Sequence, residues 1–181
     1  MNLNLKSIIE SLIFISREPL TFEKIKSILN EIPDKEIETA ISELIRTYSS
    51  QDKGIKITKT GGGYLFITKT ENDKWIKRLL NLEKKSKLSP AALETLSTVA
   101  YHQPITQAEI SSLRGVDSTH ALKTLLKKRL LKITGRKKSP GRPLIYRTTN
   151  KFLIYFGLDS IKDLPSNEEI EIILGEEENH E

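Results

Sequence analysis

The chain has 181 residues, no cysteine, and 29 basic against 24 acidic side chains for a formal net charge of +5. That length holds one large domain or two small ones, and 37% hydrophobic residues are enough to build a core. The missing cysteines exclude disulfides, thiol nucleophiles and cysteine-ligated metals, and no apolar run approaches the ~20 residues that span a bilayer.

A helix is expected over the first 16 residues, where Leu5, Ile8, Ile9, Leu12, Ile13 and Ile15 recur at helical spacing. Asn2, Asn4, Lys6, Ser7 and Glu10 interrupt that apolar series, so no signal peptide is expected there. Pro19 ends the helix, and Thr21 stands as N-cap to a short one carrying Phe22, Ile25, Ile28 and Leu29. A third helix follows Pro33 with Ile37, Ala40, Ile41, Leu44 and Ile45 on one face. The period then shortens to that of strands, with Ile55 and Ile57, then Tyr64 and Phe66, on either side of Gly61-Gly62-Gly63. Three glycines reach positive φ without steric cost, which suits a hairpin tip. Thr70 and Asp73 resemble a capping pair for a further helix whose apolar face is Trp75, Ile76, Leu79 and Leu80.

The charged residues 83–88 read as a linker, and Ser89-Pro90 is a strong helix start. The next helix carries Leu93, Leu96, Val99 and Ala100 and stops near His102-Gln103-Pro104. Thr106 and Glu109 form a capping box for a short helix with Ile110 and Leu113, which Gly115 breaks. A third helix from Asp117 turns Ala121, Leu122, Leu125 and Leu126 inward. A strand (Leu130 to Ile133), a loop (Gly135 to Pro143), a strand (Leu144 to Thr148) and a short helix (Asn150 to Tyr155) complete the second half.

Both halves thus run helix–helix–helix–strand–loop–strand–helix. The fold class is mainly α with small β-hairpins (α+β): two tandem winged-helix domains, a helix-turn-helix plus a β-hairpin wing. The expected boundaries are 1–82, linker 83–88, 89–165, and a tail 166–181. The repeat is read as architectural, without residue-level identity. The tail has seven acidic and no basic residues and is expected to be disordered, although Ile170, Ile172, Ile173 and Leu174 give it material with which to dock.

Catalytic chemistry is not in evidence. His102, His120 and His180 lack metal-ligand spacing. No nucleophile elbow, P-loop or dinucleotide fingerprint occurs, so neither an enzyme nor a cofactor is expected. A binding module remains. Residues 1–82 carry net charge +2, residues 83–165 net +10 and residues 166–181 net −7. The third helix of the first half exposes Glu36, Glu38, Thr39, Ser42 and Glu43, which would repel phosphate, so that half is read as making protein contacts. In its first helix Leu5, Ile9, Leu12 and Ile13 are candidates for a homodimer interface, against the alternative of ordinary core. In the second half, Lys123 and Lys127 on the third helix, with Arg136, Lys137, Lys138 and Arg142 on the wing, are candidates for weak, salt-dependent DNA contact, against a merely solvated basic face. No Arg, Asn or Gln between Asp117 and Lys128 can read bases. Protein docking near Tyr101, His102, Gln103 and Ile105 is the third reading.

Several segments in one order then resemble the segregation and condensation protein B family of bacteria. They are Leu88-Ser89-Pro90-Ala91-Ala92-Leu93-Glu94-Thr95-Leu96, Ala100-Tyr101-His102-Gln103-Pro104-Ile105-Thr106, Arg114-Gly115-Val116-Asp117-Ser118, Pro140-Gly141-Arg142-Pro143 and Phe156-Gly157-Leu158. The first half matches in pattern only, through Ile9-Glu10-Ser11-Leu12-Ile13-Phe14 and the glycine hairpin. The resemblance implies a non-catalytic homodimer, joined through the N-terminal domain. It would bind the kleisin, segregation and condensation protein A, and through it a structural-maintenance-of-chromosomes (SMC) ATPase. It would work in the cytoplasm at the nucleoid, in chromosome condensation and partition, and without contact to membrane. By the same resemblance Tyr101, Gln103, Pro104 and Ile105, with Lys123 and Lys127, are the kleisin-contact candidates. A winged-helix transcriptional regulator reading DNA is the alternative.

Overall fold

The computed structural model describes residues 4–80, 88–166, 168–170 and 172. The chain divides into two compact units, Met1–Leu93 and Glu94–Glu181. Residues 83–87 of the expected linker lie outside the described residues.

The first unit contains α1 (Leu5–Ile15), α2 (Phe22–Ile28), α3 (Asp34–Ser49), the strands β1 (Ile55–Thr60) and β2 (Gly63–Thr68), and α4 (Asp73–Leu79). Side-chain caps start the first two helices: Asn4 accepts from the Ser7 N–H and Thr21 from the Lys24 N–H, each at 3.2 Å. Their inner positions close one core of Ile9, Ile13, Ile25, Ile37, Ala40, Ile41, Leu44 and Ile57. Burying each isoleucine is worth about 1.5–3 kcal/mol against ~1 kcal/mol for a cap, so packing decides this unit's stability. The Tyr48 hydroxyl also donates to the Glu10 carboxylate, tying α3 to α1.

The hairpin pairs antiparallel from Ile55 opposite Thr68 to Thr60 opposite Gly63. Its tip, Gly61 and Gly62, has φ of +60° and +78°. Leu20, in the connection between α1 and α2, exchanges two backbone hydrogen bonds of 2.9 Å with Tyr64 on β2. The connection passes so close to Gly63 that a Cβ there would lie 2.7 Å from the Leu20 carbonyl carbon and 2.8 Å from that of Pro19.

The expected packing of α4 does not form. Thr70–Asn72 is a 3-10 turn, the helix begins at Asp73 without a side-chain cap, and none of its residues is buried. Trp75, Leu79 and Leu80 are exposed. Apolar spacing marks a face and does not state what covers it.

The second unit holds most of α5 (Pro90–His102), then β3 (Ile105–Thr106), α6 (Gln107–Arg114), α7 (Thr119–Lys127), β4 (Leu131–Arg136), β5 (Leu144–Thr148) and α8 (Asn150–Phe156). The Ser89 hydroxyl accepts from the Ala92 N–H at the start of α5. Leu96, Val99, Ile105, Ile110, Leu122, Leu125, Leu130, Tyr146 and Phe152 are buried, whereas Leu93 on α5 and Leu113 on α6 are exposed. The Arg114 side chain, at the end of α6, is only 7% exposed and donates to Glu94 at 2.8 Å and to Ser118 at 3.2 Å. The three strands lie in the order β3-β5-β4, all antiparallel, with a bulge between Ile133 and Gly135. β4 extends beyond the expected run and takes in Gly135 and Arg136.

β3 was not expected, since two residues display no alternation. It gives the second unit one pairing equivalent to a pairing of the first. Ile105 pairs with Tyr146 on β5 as Leu20 pairs with Tyr64 on β2. Pro104-Ile105-Thr106 thus corresponds to Pro19-Leu20-Thr21, and both threonines cap the next helix.

The expected disorder of the tail fails at its start. Ser166 accepts from the Glu169 N–H at 3.2 Å, Glu169 accepts from the Ser166 N–H at 2.7 Å, and residues 168–170 and 172 are helical. A Ser-x-x-Glu capping box lies within the acidic composition. Residues 173–181, with Ile173 and Leu174, lie outside the described residues.

Gly63→Ala should cost about 2–3 kcal/mol, the scale of overpacking against backbone that cannot retreat. Gly62→Ala, with open space around it, should cost only the ~1–2 kcal/mol of a left-handed alanine. Urea unfolding of both variants checks the order.

Candidate functional site

Tyr101, Gln103, Pro104 and Ile105 come from the last turn of α5 and the start of β3, and the structure divides them. Tyr101 is 41% exposed, and its hydroxyl donates to the Pro165 carbonyl at 2.9 Å. Its ring is therefore accessible while its polar tip is anchored. Pro104 is exposed, and the Gln103–Pro104 peptide is cis. Gln103 is a tie between α5 and β5. Its Oε1 accepts from the Thr148 N–H at 2.9 Å and the Thr148 hydroxyl at 3.0 Å, and its Nε2 donates to the Ala100 carbonyl at 3.2 Å. Ile105 is buried in the core and presents no surface. His102 is exposed, with Nδ1 3.0 Å from the Thr98 carbonyl.

Lys123 and Lys127 stand one turn apart on the exposed side of α7, whose inner side carries Ala121, Leu122 and Leu125. On the wing the four expected basic residues fare differently. Lys137 Nζ lies 2.5 Å from Glu109 Oε1, and the Lys137 N–H donates to the Pro143 carbonyl at 2.9 Å. Arg136 Nη1 donates to the Arg142 carbonyl at 3.0 Å. The Arg142 N–H closes on the Ser139 carbonyl at 2.9 Å, with φ at +41°. The Arg142 backbone is thus folded into the turn while its side chain, like that of Lys138, is exposed.

Glu109 is the hub of this region. It completes the capping box of α6, accepting from the Thr106 N–H and hydroxyl at 2.8 Å each, and it meets Lys137 from the wing. The Lys137 ammonium and then the two Thr106 donors hold its carboxyl down at about 2. A start-of-helix carboxylate therefore also fixes the wing.

In the first unit, Ile9 and Ile13 are sealed in the core and cannot serve an interface, whereas Leu5 and Leu12 are partly exposed. The free apolar surface of α1 is Phe14 (70% exposed) and Ile15 (76% exposed). The Phe14 ring meets Phe66 edge-on at 6.3 Å. A second exposed aromatic is Trp75 on α4, flanked by the Lys74 ammonium at 5.6 Å and the Arg78 guanidinium at 5.2 Å. The interface candidates read from the sequence, Leu5, Ile9, Leu12 and Ile13, did not include Phe14 or Ile15. Positions 9 and 13 are one turn apart and take the core, so the exposed apolar pair falls at the C-terminal end of the helix. Among the described residues no group of three or more His, Asp or Glu is placed to hold a metal ion, and no helix is long and apolar enough to cross a membrane.

A family model described as segregation and condensation complex subunit ScpB matches residues 7–167. Segregation and condensation protein B of Clostridium tetani is 49% identical over 166 residues, covering 91% of this chain and 86% of that protein. Its counterpart in Clostridium botulinum is 44% identical over 174 residues, covering 96% and 90%. A solved dimer of the ScpB N-terminal domain complexed with an ScpA peptide is 32% identical, covers 41% of this chain and 88% of its own, and has a TM-score of 0.39.

The Glu109 carboxyl is lowered from its ordinary 4.5. Its contribution to stability is complete above about pH 4.5 and is lost as pH falls toward 2. Glu109→Gln should therefore flatten the loss of stability between pH 5 and 2 relative to the parent chain, measured by thermal melts at fixed salt.

Proposed function

Because the chain belongs to the ScpB family of segregation and condensation complex subunits, we propose that it is a non-catalytic, dimeric accessory subunit. In this reading it binds the central region of the kleisin, segregation and condensation protein A. Through the kleisin it joins an SMC ATPase in a condensin-like complex, and it acts in chromosome condensation and partition. The observation that carries the reading is the family match along residues 7–167, which runs through both compact units.

Both units are read as winged-helix domains, 1–82 for dimerisation and 89–165 for kleisin binding, joined by residues 83–88. Three helices followed by an antiparallel hairpin in each unit support this. The dimer contact is assigned to the exposed end of α1, Phe14 and Ile15, with the partly exposed Leu12 and Leu5. Large apolar side chains left in water favour burial against a partner. The kleisin contact is assigned to the Tyr101 ring and Pro104, with Lys123 and Lys127 as further candidates. Gln103 and Ile105 support that surface from beneath. The DNA-reading regulator is the weaker reading, because α7 offers phosphate-type point charges and no base-reading side chain.

Light scattering on the pure chain, alone and with the central segment of its kleisin, tests the proposal. A dimer that retains the segment is expected, and a monomer that ignores it overturns the reading. Phe14→Asp should shift the mass to that of a monomer while the far-ultraviolet circular dichroism stays unchanged. A persistent dimer would remove the end of α1 from the interface.

A further inference from the structure

Residues 94–165 carry 13 basic against 5 acidic side chains. Lys132 on β4 stands directly opposite Arg147 on β5. Their strand neighbours Leu131 and Tyr146 are buried while Lys132 and Arg147 are exposed, so both project from the solvent face of the sheet. Like charges facing each other across an antiparallel pair repel. Among the described residues neither has a carboxylate partner. Within residues 94–165 the carboxylates meet other groups: Glu94 meets Arg114, Glu109 meets Lys137 and Thr106, Asp117 meets Thr119 and Asp163 meets Ser160. Asp159 is engaged as well.

The turn leading into β4 repeats the pattern. Lys128 and Arg129 are exposed there, again without a carboxylate. Arg129 has φ of +60°, and the Thr149 hydroxyl holds its carbonyl at 2.7 Å. Glycine or asparagine meets that conformation with less strain. The backbone thus gives no reason for arginine at this position, and what arginine adds is an exposed guanidinium. Lys123 and Lys127 on α7 are likewise exposed without a carboxylate partner among the described residues.

We propose that Lys132 and Arg147, with Lys128 and Arg129, form a binding site for the phosphate backbone of duplex nucleic acid, engaged without regard to base sequence. The site lies away from the wing loop, where Lys137 and Arg136 are already committed within the protein. Exposed point cations suit a phosphate chain, which they neutralise with a gain from counterion release. A protein segment would need an apolar anchor to reach comparable affinity, and none of these four residues supplies one.

The test uses the full chain and a fluorescent 30-base-pair duplex of arbitrary sequence, followed by anisotropy from 50 to 200 mM salt. Binding should weaken linearly on a log–log plot and ignore scrambling of the duplex. Lys132→Gln with Arg147→Gln should reduce the magnitude of the salt slope by about 2 and weaken binding about tenfold or more. Lys137→Gln should stay within about twofold of the parent. Should the double variant unfold, Arg129→Gly serves instead, since it relieves the left-handed backbone and should lower the slope by about 1. An unchanged slope in the folded variants, or no binding at 50 mM salt, overturns the proposal. Tighter binding of a polyglutamate peptide than of the duplex, lost in the same variants, would overturn it in favour of an acidic protein ligand.

Discussion

One backbone pairing per unit holds the helices to the hairpin: Leu20 with Tyr64, and Ile105 with Tyr146. Each lies just after the first helix and joins it to the second strand of the hairpin. Proline precedes the pairing residue and threonine follows it, so three consecutive residues close the connection after one helix, join the sheet and cap the next helix. Local geometry therefore fixes where α2 and α6 start, and the core behind them closes from that point. In the first unit the approach is so tight that Gly63 has no room for a side chain. In the second, Gln103 secures the same region from the helix side, by accepting from Thr148 at the end of the partner strand.

With the frame held by backbone and by inward apolar residues, the outward positions are free to differ. The third helix of the first unit presents Glu36, Glu38, Thr39, Ser42 and Glu43 to solvent, where its cationic neighbour is Lys6 of α1, 3.0 Å from Glu43. The third helix of the second unit presents Lys123 and Lys127. The exposed faces of the two third helices thus differ in sign, acidic in the first unit and basic in the second.

The helices were legible because their buried positions recur every three to four residues, as in Ile37, Ala40, Ile41 and Leu44 of α3. The capping box of Thr106 and Glu109 was legible because it is local. What was hidden depends on partners distant in sequence. β3 is two residues long and is defined only by β5. Ile9 and Ile13 look no different from Phe14 or Ile15 until the core takes the first pair and leaves the second in water. The apolar spacing of α4 gave no account of what would cover it, and nothing described does. The Ser166 and Glu169 box was local, and the surrounding glutamates obscured it. At the candidate partner surface, sequence placed Tyr101, Gln103, Pro104 and Ile105 together, as neighbours must be. It did not separate the two that face out from the two that hold the fold, because that division is set by Thr148 and the core.

The hairpin tip has a practical consequence. Gly62 and Gly141 cap the two hairpin turns, and each looks onto open space, while the strands behind them are fastened by their antiparallel ladders and by the paired connections. Loop tips fastened from behind in this way accept extra residues, because loop-closure entropy grows only slowly with length. A short epitope or a fluorophore-bearing insert therefore belongs at Gly62 or Gly141 and not at Gly63, one residue further along, where the chain has no slack.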